Sequence, residues 1–246
     1  MQGIGGKYFA LAAAVAIFGA GFAAHAQDQT KAAAPQPNSA AAPSQEKSAP
    51  QPTAAPAPVV SAAMHKKMEA KLSYCKTCHG VQGQGFRGAF PMPRLAGQQP
   101  DYIKNQLQAF IQKRRANPVM NNVAHVLSPE MVDFLSKSFH DLNPPPLGGA
   151  PAALVPEGKE IFHNGVPSKD IPPCATCHGD DAKGNGEIPR LAGQLNDYII
   201  RKLTNFDKER GLKPSPTDVS SLMKPIAHNL TQQQIAAVAA YVSNLK

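Results

Sequence analysis

The 246-residue sequence predicts an all-α protein built from two tandem copies of one small helical domain. Three observations carry that expectation. Apolar residues recur at helical spacing, and no stretch alternates apolar with polar in the manner of a strand. The second half of the chain repeats the first, with Pro93-Arg-Leu-Ala-Gly-Gln98 returning letter for letter as Pro189-Arg-Leu-Ala-Gly-Gln194. Between the copies lies Asn143-Pro-Pro-Pro-Leu-Gly-Gly-Ala-Pro151, which can neither continue a helix nor join a ladder.

Taken in order, residues 1–26 have the form of a secretory signal. Lys7 supplies positive charge, an alanine-rich apolar run follows, and Ala24-His25-Ala26 matches the small-x-small cleavage pattern. Cleavage near Ala26 places the mature chain in the periplasm. A retained signal would leave it membrane-tethered, because about 17 apolar residues is the lower limit of a span, but Gly19 and Gly21 favour removal. Residues 27–62 are nearly all Ala, Pro, Gln, Ser and Thr, too poor in apolar surface to offset the entropy of ordering. They read as a disordered tether, which leaves peripheral membrane association open. The two domains are then expected at 63–142 and 157–246, with 143–156 as the linker.

Within each domain the pattern is helical. Met64, Met68 and Leu72 recur every fourth residue, and Ile103, Leu107, Phe110 and Ile111 share a face, as Ile199, Leu203 and Phe206 do in the second copy. The repeat also pairs Tyr102 with Tyr198 and Arg114 with Arg210. The last helix of each copy starts at a cap: Ser128 before Pro129, and Thr231 with Gln234 three residues on, in the form of a capping box. Val132, Leu135 and Phe139, and likewise Ile235, Val238, Val242 and Leu245, give inward stripes.

Each copy contains C-x-x-C-H, as Cys75-Lys-Thr-Cys78-His79 and Cys174-Ala-Thr-Cys177-His178. Two thiols about one helical turn apart can each form a thioether to a vinyl group on one porphyrin edge, which puts the adjacent imidazole under the iron. This is the attachment sequence of haem c. All four cysteines of the chain are used in this way. A zinc site would need a second Cys or His pair nearby, and a redox pair would need strands around it. The chain therefore predicts two covalent haem c groups with His79 and His178 as iron ligands. Two porphyrins would also supply apolar filling to domains that lack tryptophan.

The opposite face of each iron decides between electron transfer and chemistry at the metal. The second copy contains one methionine, Met223, which aligns with Met120; Met92 and Met131 face Ile188 and Gln234 and have no partner. Met120 and Met223 are thus the expected thioether ligands, with His125 and His228 as the competing pair. A ligating imidazole needs its other nitrogen hydrogen-bonded, commonly to a backbone carbonyl. Pro93 and Pro189 are placed to offer one. Arg94 and Arg190 are expected to pair with haem propionates and Tyr102 and Tyr198 to pack near the porphyrin edge, although a surface Arg and a core Tyr explain the same letters.

These residues resemble the dihaem cytochrome c4 family over nearly all of 63–246. The likeness rests on the two C-x-x-C-H sites, the doubled Pro-Arg-Leu-Ala-Gly-Gln, the late methionine in each half, and the Gly158-Lys-Glu-Ile-Phe162 and Ile171-Pro-Pro-Cys174 approach to the second motif. It implies two class I cytochrome c domains, each a few helices around one haem. It also implies periplasmic carriage of single electrons toward a terminal oxidase or from a dehydrogenase. Redox partner proteins follow from it: an oxidase, a quinol-cytochrome c reductase or a dehydrogenase. Residues 27–62 depart from the compact family pattern. The rival reading is a cytochrome subunit or dihaem enzyme of a periplasmic dehydrogenase oxidising a sulfur compound or an alcohol, which needs an open or unusually ligated haem. The paired methionines argue against that, and no catalytic residue is expected.

Charge is uneven. Residues 64–140 hold 11 Lys/Arg against 4 Asp/Glu, or +7, and residues 155–246 hold 11 against 10, or +1. The basic first domain is suited to an acidic docking surface. Nucleic acid is not expected as a partner of an exported haem protein.

Overall fold

The computed structural model describes residues 61–210, 212–213 and 218–246. The expected signal at 1–26, and the 27–62 tether except its last two residues, lie outside the described residues. Both helical domains belong to one compact unit.

The first domain opens at Ser61, whose hydroxyl accepts from the Met64 N–H at 3.2 Å and so caps α1 (Ala62–His79). The helix starts one residue ahead of the boundary expected at 63. It runs unbroken through the Cys75 motif and stops at Gly80, φ 89°. Met68 and Leu72 are buried and Met64 is half-buried. After the loop, α2 (Pro100–Ile111) buries Ile103 and Phe110, with Leu107 and Ile111 packed at the edge of the same core. A short helix, α3 (Pro118–Ala124), is followed by α4 (Pro129–His140), which begins as expected at Ser128 and Pro129 and buries Val132, Leu135 and Phe139. The first core joins residues of all four helices, and Cys75 and Met120 both pack against it.

The second domain repeats this plan with breaks. A 3₁₀ turn at Ala152–Leu154 leads into α5 (Val155–Asn164), so helical structure begins inside the segment expected as linker. Gly165 ends α5, and the motif rides on a separate four-residue turn, α6 (Ala175–His178). Beyond it, α7 (Asn196–Thr204) ends at Asn205, and Phe206 opens α8 (Phe206–Glu209). The sequence pattern had put Phe206 on the same helix as Ile199 and Leu203. The difference arises at Thr204-Asn205, two residues whose side chains compete with the backbone for hydrogen bonds: the Asn205 side chain bonds the Arg201 carbonyl at 3.0 Å. The domain closes with α9 (Ser220–Asn229) and α10 (Gln232–Ser243). The capping box forms in full: Thr231 Oγ1 accepts from Gln234 N–H at 3.2 Å, and Gln234 Oε1 from Thr231 N–H at 2.9 Å. Ile235, Val238 and Val242 are buried. Among the described residues there is no strand; isolated bridges such as Phe86–Met92 and Asn185–Ile188 close the loops after each motif.

Candidate haem sites

His79 and His178 end α1 and α6 and are buried, 7% and 5% exposed. Each Nδ1 lies within hydrogen-bond distance of a proline carbonyl, Pro93 at 3.0 Å and Pro189 at 2.9 Å. A carbonyl can only accept, so Nδ1 carries the proton and Nε2 keeps its lone pair. Burial lowers the pKa of both imidazoles, opposed by the carbonyl bonds, and the nearby Arg115 charge lowers His79 further. A neutral imidazole with a fixed tautomer and a free Nε2 is the form that binds a metal.

The loop that aims each carbonyl is built on a glycine. Gly85 N–H donates to the His79 carbonyl and Gly184 N–H to the His178 carbonyl, both at 2.8 Å. Both glycines have positive φ, 84° and 68°. A Cβ on Gly85 would stand 2.6 Å from the Met92 carbonyl oxygen, and one on Gly184 would stand 2.5 Å from the Pro189 carbonyl carbon. Sequence reasoning missed this pair, although they share the 99-residue offset of the two motifs.

None of the four cysteines is in a disulfide; Cys75 and Cys174 are half-buried, Cys78 and Cys177 exposed. Burial pushes the Cys75 and Cys174 thiols up to about 11. They are protonated thiols, unlike the depressed-pKa cysteines of reactive or metal-thiolate sites. Among the described residues no three His, Cys, Asp or Glu converge as they would on a bare metal ion. The donor set fits a porphyrin held by thioethers and one imidazole.

Met120 sits on α3, held by Asn117, whose Oδ1 accepts from the Met120 N–H at 2.9 Å, and by Asn121, whose Nδ2 donates to the Phe110 carbonyl at 2.7 Å. Met223 is half-buried on α9. The competing pair lies outside: His125 is exposed with Nδ1 2.6 Å from the Asn122 carbonyl, and His228 is 75% exposed beside Asp207.

The doubled hexapeptide meets its copy across the domain interface. Arg94 N–H donates to Gln194 Oε1 at 2.8 Å, and Gln194 Nε2 donates back to the Arg94 carbonyl at 3.0 Å. The mirror contacts join Arg190 N–H to Gln98 Oε1 at 2.7 Å and Gln98 Nε2 to the Arg190 carbonyl at 3.0 Å. The Arg94 guanidinium donates to the carbonyls of Ala96, Pro144 and Pro145, so part of its role is to hold the linker. Burial, with the Arg190 charge close by, pushes Arg94 down to about 10.

Beside this clasp, Arg115 donates to Tyr198 at 2.9 Å and Arg210 to Tyr102 at 3.1 Å, and both donate to Gln106 Oε1. The structural counterpart of Arg210 is therefore Arg115, where the sequence repeat had aligned Arg114. Lys113, left-handed at φ 57°, precedes Arg114 and Arg115, and no described residue of α7 or α8 is left-handed. Arg94, Arg190, Arg115 and Arg210 make no ion pair among the described residues, and Arg210 Nε is buried with no partner. Arg94 and Arg115 are buried and Arg190 and Arg210 half-buried, and a cation out of water without an anionic partner is costly. Such a cluster fits the carboxylates of two propionate-bearing groups.

Comparison with known proteins agrees with this geometry. The sequence model of the Cytochrome c family matches residues 68–134 and 155–246. Cytochrome c-552 of Acidithiobacillus ferridurans is 40% identical over 179 residues, covering 70% of this chain and 74% of the relative. Cytochrome c4 of Thiocapsa roseopersicina is 36% identical over 182 residues, covering 72% and 90%. A thiosulfate dehydrogenase electron acceptor of Stutzerimonas stutzeri is 33% identical over 174 residues, covering 70% and 78%. The solved cytochrome c4 of Acidithiobacillus ferrooxidans superposes with a TM-score of 0.60 at 39% identity, over 70% of this chain and 99% of that one.

Proposed function

The chain belongs to the dihaem cytochrome c4 family, and from that premise we propose how its residues carry single electrons between redox proteins. Cys75 and Cys78 would hold one haem c and Cys174 and Cys177 the other, with His79 and Met120 as the iron ligands of the first and His178 and Met223 as those of the second. The haem would supply a ferric/ferrous couple; the protein fixes the tautomer of His79 and His178 and, by burying them, keeps water from both imidazoles. The observation that carries this reading is the paired geometry of His79 and His178, each buried and neutral, with Nδ1–H on a proline carbonyl at 3.0 and 2.9 Å. A thioether ligand would favour the ferrous state relative to a second imidazole. The exposure of His125 and His228 supports methionine in that role. Pro93 and Pro189 orient the imidazoles. For the propionates we assign the interface cations: Arg94 and Arg190, whose Nε groups donate to the Ala96 and Ala192 carbonyls at 3.1 and 3.0 Å, through their remaining donors, joined by Arg115 and Arg210.

Delivery to the periplasm is the reading the 1–26 segment supports, and no helix among the described residues is long and apolar enough to cross a membrane. The partners we propose are a terminal oxidase, a quinol-cytochrome c reductase or a dehydrogenase. The relative named as a thiosulfate dehydrogenase electron acceptor favours a dehydrogenase as one donor, with this chain as its acceptor.

The test is spectroscopic. Met120→Ala and Met223→Ala should each remove about half of the weak far-red band of Met-ligated ferric haem and lower one potential by on the order of a hundred millivolts, since axial ligands set haem potentials over about 0.8 V. The wild-type reduced protein should resist carbon monoxide. If both variants keep the full band, the methionine assignment fails.

A further inference from the structure

The hydrogen bond to each buried imidazole does not end at the proline. The Pro93 carbonyl and the Arg94 N–H belong to one peptide unit. Its oxygen accepts from His79 Nδ1 at 3.0 Å, and its N–H donates to Gln194 Oε1 at 2.8 Å. In the second domain the Pro189–Arg190 peptide accepts from His178 at 2.9 Å and donates to Gln98 at 2.7 Å. Gln194 belongs to the second domain and Gln98 to the first. Both are buried, 7% and 5% exposed, and each returns its Nε2–H to the carbonyl of the same arginine.

We propose that Gln98 and Gln194 are crossed positioning residues: each sets the reduction potential of the haem in the other domain. An amide that donates at nitrogen is polarised, and its oxygen becomes a stronger acceptor. The stronger acceptor draws on the Nδ1–H of the imidazole, which raises the electron-donating power of Nε2 and stabilises the ferric ion. No proton leaves Nδ1; one electron enters or leaves the iron, and only the balance between the two states moves. Gln194 thus lowers the first-domain potential and Gln98 the second. The domain interface becomes part of both iron environments, and neither domain alone would show the potential it has in the pair.

The proposal rests on His79 and His178 being the lower ligands. It is tested on the full-length holoprotein with Gln194→Leu and Gln98→Leu. Potentials are measured by redox titration and assigned to domains through haem-methyl NMR signals connected to Cys75/Cys78 or Cys174/Cys177. Gln194→Leu should shift the ferrous-to-ferric ratio of the first-domain haem up to about tenfold toward ferrous at fixed ambient potential, about 59 mV for a full tenfold change in a one-electron couple. The second-domain haem should stay in place, and Gln98→Leu should give the mirror pattern. A loosened interface would admit water, which favours the more charged ferric state, so a purely structural role predicts the opposite sign. Gln194→Glu keeps an acceptor for the Arg94 N–H and should leave the first-domain potential at or below the wild-type value. A shift in the substituted domain, an equal shift in both, a fall, or no shift overturns the proposal. Failure of the ligand reading is separate: it would appear in the wild type as spectra that are not six-coordinate and low-spin, whatever the variants do.

Discussion

In the first domain one 18-residue helix delivers Cys75, Cys78 and His79 from a well-capped start. The second domain interrupts the same stretch at Gly165, crosses Pro172-Pro173, and presents its motif on a helix of 4 residues. Yet the two histidines reach their proline carbonyls at 3.0 and 2.9 Å, and the two loop glycines reach the histidine carbonyls at the same 2.8 Å. What the copies share therefore lies after the histidine, in the loop from Gly85 or Gly184 to the hexapeptide and its clasp. The helix before the motif can be long or broken because it only has to bring two thiols and an imidazole to the mouth of that loop.

The comparison breaks most readily at the glycines. Alanine at either position must adopt a positive φ and push its Cβ into the peptide that bonds the histidine, and backbone cannot yield as a side chain can. The approach is closer at Gly184, where the Ile188 carbonyl also lies against the added carbon. Gly184→Ala should cost about 3–4 kcal/mol, at the upper end for single substitutions, and Gly85→Ala about 2 kcal/mol in denaturant unfolding of the holoprotein. Truncating α1 at its first turn should cost less than either. If the truncation proved the worst of the three, the site would depend on the helix after all.

Much of this was legible in the sequence because it is written in short-range pattern. Both caps on the final helices, the inward stripes of α4 and α10 and the proline carbonyls behind the histidines follow from spacing and from what each side chain can bond. The clasp was not legible, although Gln98 and Gln194 stand in the repeated hexapeptide. A repeat says that two residues do equivalent work, but not whether each works within its own copy or on the other. The Arg115 to Arg210 equivalence was hidden for a related reason: Arg114 and Arg115 are adjacent, and letter alignment cannot see the left-handed Lys113 before them or which of the two meets the tyrosine of the other domain. Arg114 takes a different partner, and that contact separates the domains again.

Arg114 of the first domain pairs with Asp218 of the second, both largely buried, and Asp218 also accepts at 3.0 Å from the N–H of Ser220, the first residue of the helix that carries Met223. Burial alone would raise the Asp218 pKa, but the Ser220 hydroxyl and N–H and the Arg114 charge outweigh it and hold the carboxyl below its ordinary 3.8. A depressed carboxylate stabilises the fold above the unfolded pKa, and that contribution is lost as pH falls through the lower folded value. Asp218→Asn should therefore cost about 2 kcal/mol at neutral pH, the scale of a buried group left without its partner. The gap between wild type and variant should close on acidification below about pH 4. The loss should register first as increased mobility around Met223, seen in its far-red band, with the Met120 signal unchanged. An equal loss in both bands would mean the pair supports the interface as a whole.

The smallest effect concerns charge. Residues 64–140 of the first domain carry +7 and residues 155–246 carry +1 before any propionate is counted, and the first domain also exposes Val81, Phe86 and Phe90 beyond its motif. Long-range attraction acts on encounter more than on bound affinity, and it fades once charges lie beyond the Debye length, about 10 Å at 0.1 M salt. An anionic one-electron oxidant such as hexacyanoferrate should therefore react faster at the first-domain haem, with a rate that drops steeply as salt is added, while the second-domain rate changes little. Lys76→Glu, beside the exposed Cys78, should slow the first reaction by about 3- to 10-fold at low salt. Lys183→Glu, whose native charge is already matched by Asp181 at 3.2 Å, should change the second by less than about twofold. If the two substitutions acted alike, the charge difference between the domains would be a property of distant surface and would not direct partners to the first haem.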